Sequence, residues 1–566
     1  MPPNLSSHQA YIPLTEERLF GNDVHAAQSS SLTDMMTRNR FGENDQLIET
    51  DILVVHENIK RASVQNITMN TMNYMLVPLS MPATLAASGW VWGLLLFVGS
   101  TVWSYWTGLV IGDAYIAHPE LKTFPEMSAE AIAIYFCDDT GKAGSSSSNS
   151  SSSVDEFRGA VSLDTDNDYA QYAVYGSGGV LGANRERKRV RVKATAKRTV
   201  AIVQFLTFYL DAVCQFIYMA QYLSILTSSM KIKGLFGTVG WCQSLSLSVV
   251  SLLLLPVTQL PTFHDSKNFV YFAIATLTLS VAVFTYEVLS KTPWESCEIK
   301  PQFSRVSTAS KFVSVANFAY AYGGHGLFPE EMAEMVEPER WPEVMNWSYF
   351  ISVPVYLFVG AIGYAAYGDA TKADINLNFP NDIGNALSIA FQFGQCYYAV
   401  FFCNVALCSR IEILLGFDPT DWFTNKHQYL KVNSFTFRLF FRTLFLGTQT
   451  LVAAIFLASG GDVLLDLQGI AGSFGMALMT FLLPSLMRLT LVDKPFSFPS
   501  LGKLTCYSTI ALALVVIISG LYGSVSDLGL DFRRKMPRDT CLPSVTTVVD
   551  ERGCPTPPNS GSIAEK

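Results

Sequence analysis

The chain has 566 residues, of which 49% are hydrophobic and only 15% charged, and its formal net charge is −8. Ordinary globular chains carry about 25% charge, so charge is what is missing, and the acidic balance argues against nucleic acid as a partner, because phosphate binding rests on Lys and Arg. A mean hydropathy of +0.27, with 38 Phe and 9 Trp, points to a chain whose solvent is largely lipid and excludes a string of soluble domains.

Residues 1–60 are polar, mixed in sign and without the apolar run of a secretory signal. They read as a disordered cytoplasmic tail. Within it, Glu43, Leu47 and Ile48 fit an acidic dileucine pattern, which implies sorting adaptors and an endosomal or vacuolar membrane as an alternative to the plasma membrane. The membrane domain runs from 61 to 525. A hydrocarbon core of ~30 Å takes about 20 helical residues, and apolar segments of that order lie at 64–88, 90–116, 199–229, 236–258, 267–289, 309–328, 346–367, 383–415, 435–458, 462–489 and 503–525. The fold class is therefore an all-α polytopic membrane protein of about 11 spans. A hydrophilic insert at 137–198 interrupts it, with a serine run from Ser145 to Ser153 that reads as disordered and cytoplasmic. The insert closes on Arg185 to Arg198, eight basic residues against one acid. Residues 526–566 form a C-terminal tail in which Cys541 and Cys554 share a side and have the option of pairing in an oxidising compartment.

With the N-terminus cytoplasmic, about two thirds of the 39 Lys and Arg fall on the cytoplasmic side, and the Arg185 to Arg198 run decides the orientation. The sequons at Asn4, Asn66, Asn149 and Asn346 then lie on or near that side, consistent with their being unused.

Two spans are broken. The first carries Pro78 and Pro82, each removing an amide donor. The sixth carries Gly323, Gly324 and Gly326 around His325, then Pro329. Unpaired backbone at membrane depth is tolerated only against protein or a water-filled cavity, so both breaks are expected to face the interior. First and sixth are corresponding positions of two five-span halves, the pattern of an inverted-repeat transporter with a central site. Half-helix amides there suit a carboxylate and freed carbonyls suit a cation, which matches an amino acid.

In the third span Gln204, Asp211, Gln215, Tyr218 and Tyr222 share one helix face, which must look inward. Asp211 is near mid-span, where an ionised carboxylate costs several kcal/mol. It reads either as a proton carrier or as a hydrogen-bonded acid joining two helices, and His325 in the sixth-span break is open to the same two readings. Gln215, Tyr218 and Gln395 are expected to line the cavity, with Gln392 close by. Asp462 and Asp466 read as vestibule or helix-start residues, and Arg410 and Glu412 as interfacial anchors. Cys214, Cys242, Cys396, Cys403, Cys408 and Cys506 fall in apolar spans as small hydrophobes. No metal-ligand spacing, nucleophile elbow or phosphate loop appears, so no cofactor, metal or catalytic residue is expected and the chain does not read as an enzyme.

Several stretches resemble the amino acid/auxin permease family. Met81-Pro82-Ala83 through Gly89-Trp90 is similar to its Leu-Pro-Tyr-Ala…Gly-Trp stretch, and Phe318 to Glu330 resembles its Tyr-Gly-Gly-His…Pro-Glu segment. Gly363-Tyr364, Tyr367-Gly368-Asp369 and Ile375 to Pro380 look like its Gly-Tyr-x-x-Phe-Gly-Asp…Ile-x-x-Asn-Leu-Pro signature, and Leu260 to Asp265 looks like a stretch of the auxin-influx branch. The resemblance covers roughly 60 to 525. It implies a LeuT-type 5+5 inverted repeat working as a proton-driven symporter of amino acids or amino-acid-like carboxylates, auxin-like indole acids included. By motif match it places substrate at Asn73, Met75, Val77, Ser80, Tyr322, Gly323, Gly324 and His325, with Asp211 or His325 in the proton path. Many members have Gly-x-Gly where this chain has Met75 and Val77, a departure that leans toward the auxin-influx branch. The alternative is an amino-acid sensor that keeps the fold and signals through its tails.

Overall fold

In lipid a backbone amide or carbonyl has no water to turn to, so a spanning chain closes its hydrogen bonds within helices. The computed structural model describes residues 62–76, 78–138, 180–227, 231–234, 237–240, 243–260, 267–291, 300–303, 306–380, 382–417, 432–459, 463–492 and 499–534. Helix α1 (Val64–Met75) is capped by the Ser63 hydroxyl, which accepts from the Asn66 amide at 3.4 Å. A 3-10 turn (Pro78–Ser80) follows, then α2 (Met81–Ser88). Proline has no amide to give, so α1 stops short of Pro78, while Pro82 falls in the first turn of α2, where the missing amide costs nothing. Beyond Gly89 the chain enters α3 (Trp90–Ala117), then α4 (Phe124–Asp138) and α5 (Val180–Thr227). Strand β1 (Lys231–Gly234) pairs antiparallel with β2 (Gly237–Gly240), Lys231 opposite Gly240. Next come α6 (Gln243–Thr258), α7 (Lys267–Lys291) and α8 (Thr308–Ala321). A second 3-10 turn (His325–Leu327) leads into α9 (Phe328–Glu334). The remainder is α10 (Trp341–Tyr367), α11 (Ile383–Leu414), α12 (Ser434–Ser459) and α13 (Val463–Ala471), then the wide turns Gly472–Met476 and Leu478–Leu482, α14 (Leu483–Thr490) and α15 (Pro499–Arg534).

Among the described residues eight helices are long and apolar enough to cross a membrane. The other three predicted spans are α1–α2, α8–α9 and α6. The first two are interrupted by design of their sequences, and α6 is 16 residues long. The fourth span, expected from 236, starts later because 237–240 pairs as a strand.

The insert expected to be disordered over 137–198 differs at both ends. Cys137 and Asp138 close α4, and α5 begins at Val180, so the basic run is helix. At 48 residues α5 is about 72 Å long, more than twice a ~30 Å core. Its extension is held by α4: Arg189 and Lys193 reach Glu130 at 2.7 and 2.6 Å, and Lys197 reaches Glu126 at 3.1 Å. Residues four apart lie on one helix face, which puts these three cations along a single seam. Burial works against the Glu130 charge, yet its hydrogen bonds from Lys193 and Arg189 hold the carboxyl below its ordinary value. Residues 1–61, 139–179 and 535–566, including the dileucine pattern and the Cys541 and Cys554 pair, lie outside the described residues.

Close packing at the centre depends on backbone contact. A side chain at Gly472 would bring its Cβ to 2.1 Å from the Ala316 carbonyl, so only glycine lets α13 and its wide turn lie against α8. The outward face is apolar, with Val91, Leu95 and Val98 on α3 and Val515, Ile518 and Tyr522 on α15 all exposed. These side chains suit lipid contact.

Arg410 and Glu412, expected as interfacial anchors, are instead bound within the protein. Glu412 meets Arg442 of α12 at 2.6 Å, both side chains 1% exposed, and Arg442 also donates to the Thr258 and Leu260 carbonyls at the end of α6. Removing one member of such a pair strands the other charge, a loss of about 3–5 kcal/mol. Glu412→Ala should therefore lower stability by that amount in denaturant titrations of the purified protein, whereas a loss below about 1 kcal/mol would show that the pair does not hold α6, α11 and α12 together.

Candidate functional site

The two helix breaks meet. The Tyr356 hydroxyl of α10 lies between the carbonyls of Met75 and Ala321, the last residues of α1 and α8, donating to Met75 or, at 2.9 Å, to Ala321. Gln395 of α11 donates to the Leu76 carbonyl at 3.2 Å and to that of Asn73 at 3.4 Å. From α3, Ser104 donates to the Tyr322 carbonyl at 3.3 Å. Three neighbouring helices thus answer the carbonyls that the breaks release. Around them sit buried polar side chains with no hydrogen-bond partner: both amide atoms of Asn317, one turn before the end of α8, and the hydroxyls of Ser348 and Ser352, the latter one turn before Tyr356. Asn73 is also fully buried, and neither of its amide atoms meets hydrogen-bond geometry. Unfilled polar atoms at this depth cost free energy unless a ligand or water takes them.

The predicted substrate positions divide accordingly. Asn73, Met75 and Ser80 are all buried beside the first break, while Val77 lies outside the described residues. Tyr322 is fully buried, accepts from Thr101 at 2.6 Å and stacks on Tyr349 with ring centroids 6.0 Å apart. Gly323 faces Met476 in the first wide turn. Gly324 has φ 137, a left-handed conformation that explains the need for glycine there. His325 turns toward α3: its Nε2 lies 2.9 Å from the Ser104 carbonyl and 3.3 Å from Thr107 Oγ1. The Tyr322 backbone is a further partner of the same ring, so His325 ties the sixth-span break to α3.

The inward face predicted for the third span is present on α5, and each member has a contact. Gln204 donates to the Gly326 carbonyl and accepts from Arg410 at 2.8 Å, and Arg410 pairs with Glu330 of α9. Asp211 accepts from the Tyr320 hydroxyl of α8 and faces Cys403 Sγ of α11 at 3.4 Å, with Gln215 a further donor. Gln468 of α13 donates to the Tyr218 hydroxyl at 3.1 Å. The Tyr222 hydroxyl donates to Asp374, in the segment between α10 and α11. Asp211 and His325 are therefore not brought together, since one joins α5 to α8 and α11 while the other is fixed to α3. At the end of the bundle near Ala62 the two broken spans are tied. Ala62 N donates to the Glu334 carbonyl at 2.7 Å, Val336 N donates back at 3.1 Å, and Thr71 donates to Glu331 at 2.9 Å.

Residues 181–526 match the family model for transmembrane amino acid transporter protein, which is more than half of the chain. The chain belongs to this family. Its members are transporters rather than enzymes, and the chain is accordingly a multi-pass integral membrane protein of an amino acid transporter family. It is 35% identical over 71 residues to amino acid transporter AVT1B of Arabidopsis thaliana, a match covering 12% of this chain and 13% of that protein. It is 23% identical over 337 residues to amino acid transporter AVT1J of the same plant, covering 59% of this chain and 74% of the relative. Among solved structures, a mutant of the Eremococcus coleocola manganese transporter aligns with 87% of this chain and 95% of its own at 12% identity, with a TM-score of 0.41.

For a transmembrane amino acid transporter, three groups of this site were not visible to sequence reasoning. Tyr356 is one aromatic among many in an apolar helix, and nothing in its neighbours marks it. Glu330 carried a signal, as an acid directly after the sixth-span break, but its partner Arg410 is 80 residues away. Asp374 is 1% exposed although it lies between spans, and burial pushes its carboxyl from an ordinary 3.8 up to about 6, against the opposing pull of hydrogen bonds from Tyr222 and the Asn376 amide. Between those two values the native state holds a proton that the unfolded chain has lost, so this group's contribution to stability is present below about pH 4 and lost as pH rises through about 6. Thermal unfolding of the wild type should fall over that window. Asp374→Asn should flatten the slope, and an identical slope in both proteins would contradict the assignment.

Proposed function

We propose that this chain is a secondary active symporter that moves amino acids or amino-acid-like carboxylates, auxin-like indole acids within its range, together with protons by alternating access. The architecture proposed is the LeuT-type repeat of two five-span halves, with an eleventh span outside the repeat and the N-terminus cytoplasmic. One observation carries the reading: the freed carbonyls of both broken spans converge on the single hydroxyl of Tyr356. A substrate ammonium would compete for those carbonyls, and its carboxylate would take the amide ends of the half-helices that follow. Tyr322, Gly323, Gly324, His325, Asn73, Met75 and Ser80 are the substrate positions in this reading, and the unpartnered amide of Asn317 supplies a further donor. Asp211 is the proton carrier in this reading. Its Tyr320 contact attaches it to the half of span six that ends at the break, so its charge state and the position of α8 are linked. His325 is the second candidate in the proton path. The ties at the Ala62 end, with the Arg410–Glu330 pair, support a conformation closed on that side. The membrane proposed is the plasma membrane or that of vacuole or endosome, with sorting adaptors acting through residues 1–60.

The test is uptake of labelled amino acids and indole acids into liposomes holding the purified chain, with and without an imposed proton gradient. A substrate should accumulate with the gradient, and Asp211→Asn should lose at least about tenfold of that accumulation, the loss expected when a coupled step is removed, while keeping exchange at equal pH. Uptake indifferent to the gradient would overturn the coupling. Saturable binding without flux would favour the sensor reading instead.

A further inference from the structure

A cavity of about 680 Å³ opens between α4, the extension of α5, the turn Leu478–Leu482 with α14, and the start of α15, and none of the helix-break residues lines it. Its lining is apolar and aromatic, including Tyr135 and Phe136 of α4, Leu482, and Tyr507 of α15, and it reaches along α5 from Arg191 past Thr199. Among the described residues no carboxylate lines it. We propose that this groove is a binding site for an anionic phospholipid, with an acyl chain in the apolar part and the phosphate on Arg191.

Three features support that occupant. The first is charge. On the basic face of α5, Arg189, Lys193 and Lys197 are committed to Glu130 and Glu126, and Arg185 donates to the Cys137 carbonyl. Arg191 is exposed at the groove mouth and makes no ion pair or hydrogen bond among the described groups. A guanidinium without a partner above an apolar slot matches a phosphate above its acyl chains. The second is depth. From Arg191 to Tyr222, whose hydroxyl meets Asp374 at the other end of the bundle, α5 rises about 46 Å, so Arg191 stands outside a ~30 Å core while Thr199 and Val203 lie near its edge. From Arg191 to Val203 the rise is about 18 Å, which carries the groove from outside the bilayer core down to its edge. The third is the rim. Phe136 is 58% exposed and Tyr507 47% exposed, and aromatic rings gather at the headgroup level of a bilayer.

The experiment uses the full chain in detergent, loaded with equimolar phosphatidylserine and phosphatidylcholine and read by native mass spectrometry. Phosphatidylserine should be retained roughly fivefold over phosphatidylcholine, the preference one cation confers near anionic lipid. Arg191→Gln should reduce that ratio to about one, while Arg187→Gln, on the same helix but off the groove, leaves it unchanged. Thr199→Trp, which fills the slot, should reduce retention of both lipids. Equal effects of Arg187→Gln and Arg191→Gln would mean diffuse attraction to the basic helix and would overturn the site, as would retention that none of the three changes alters. A photo-crosslinker at Thr195 in native membranes should capture lipid; capture of a segment of this chain or of another protein in its place would assign the groove to that occupant and overturn the proposal.

Discussion

The centre of the molecule is organised by backbone carbonyls that two broken helices leave without amide partners. In hydrocarbon such a group costs several kcal/mol, so the protein must bring hydrogen-bond donors to Met75, Leu76, Ala321 and Tyr322. It does so from three directions, with Tyr356 on α10, Gln395 on α11 and Ser104 on α3. Those bonds fix how the intact helices stand around the broken ones. In the proposed function the same place would let a substrate ammonium take over a carbonyl from Tyr356, with no loss in the number of bonds that carbonyl makes.

Much of this was legible in the sequence wherever one residue type has a unique backbone effect. Pro78 marked the break after α1 because proline has no amide, Pro82 fell in the first turn of the helix that follows, and the glycines around His325 marked a turn that Gly324 makes at φ 137. The inward face of the third span was legible too, since Gln204, Asp211, Gln215, Tyr218 and Tyr222 recur at helical spacing in an apolar segment. What the sequence did not give was partnership. Tyr356, Arg410 and Arg442 act through groups far away in the chain, and no local pattern says which carbonyl or carboxylate they will meet. Nor did polarity tell helix from disorder in the basic run, because its stability comes from α4 lying alongside rather than from its own residues. The same cause explains Cys403, read as a small hydrophobe and found facing Asp211 at 3.4 Å.

The interior acids follow one rule with different outcomes. Glu412 has a full counter-charge in Arg442 and serves to hold three helices. Glu330 shares Arg410 with Gln204 at the end where the broken spans are tied. Asp211 and Asp374 have hydroxyl donors rather than cations. A carboxylate held by a neutral donor changes charge without breaking an ion pair, and both acids meet α5, Asp211 as a residue of that helix and Asp374 through the Tyr222 hydroxyl. The acids with arginine partners are fixed by charge, and in the proposed symport it is an acid without one, Asp211, that would carry the proton.

The length of α5 has a mechanical consequence. A helix with no proline between Val180 and Thr227 behaves as a stiff rod, and its Tyr222 end is fastened to the segment between α10 and α11. Pivoting there by about 5° would carry the Val180 end some 5 Å sideways. Rocking of the bundle in the proposed alternating access would thus be magnified at the basic arm, with α4 carried along by the ion pairs that join the two helices.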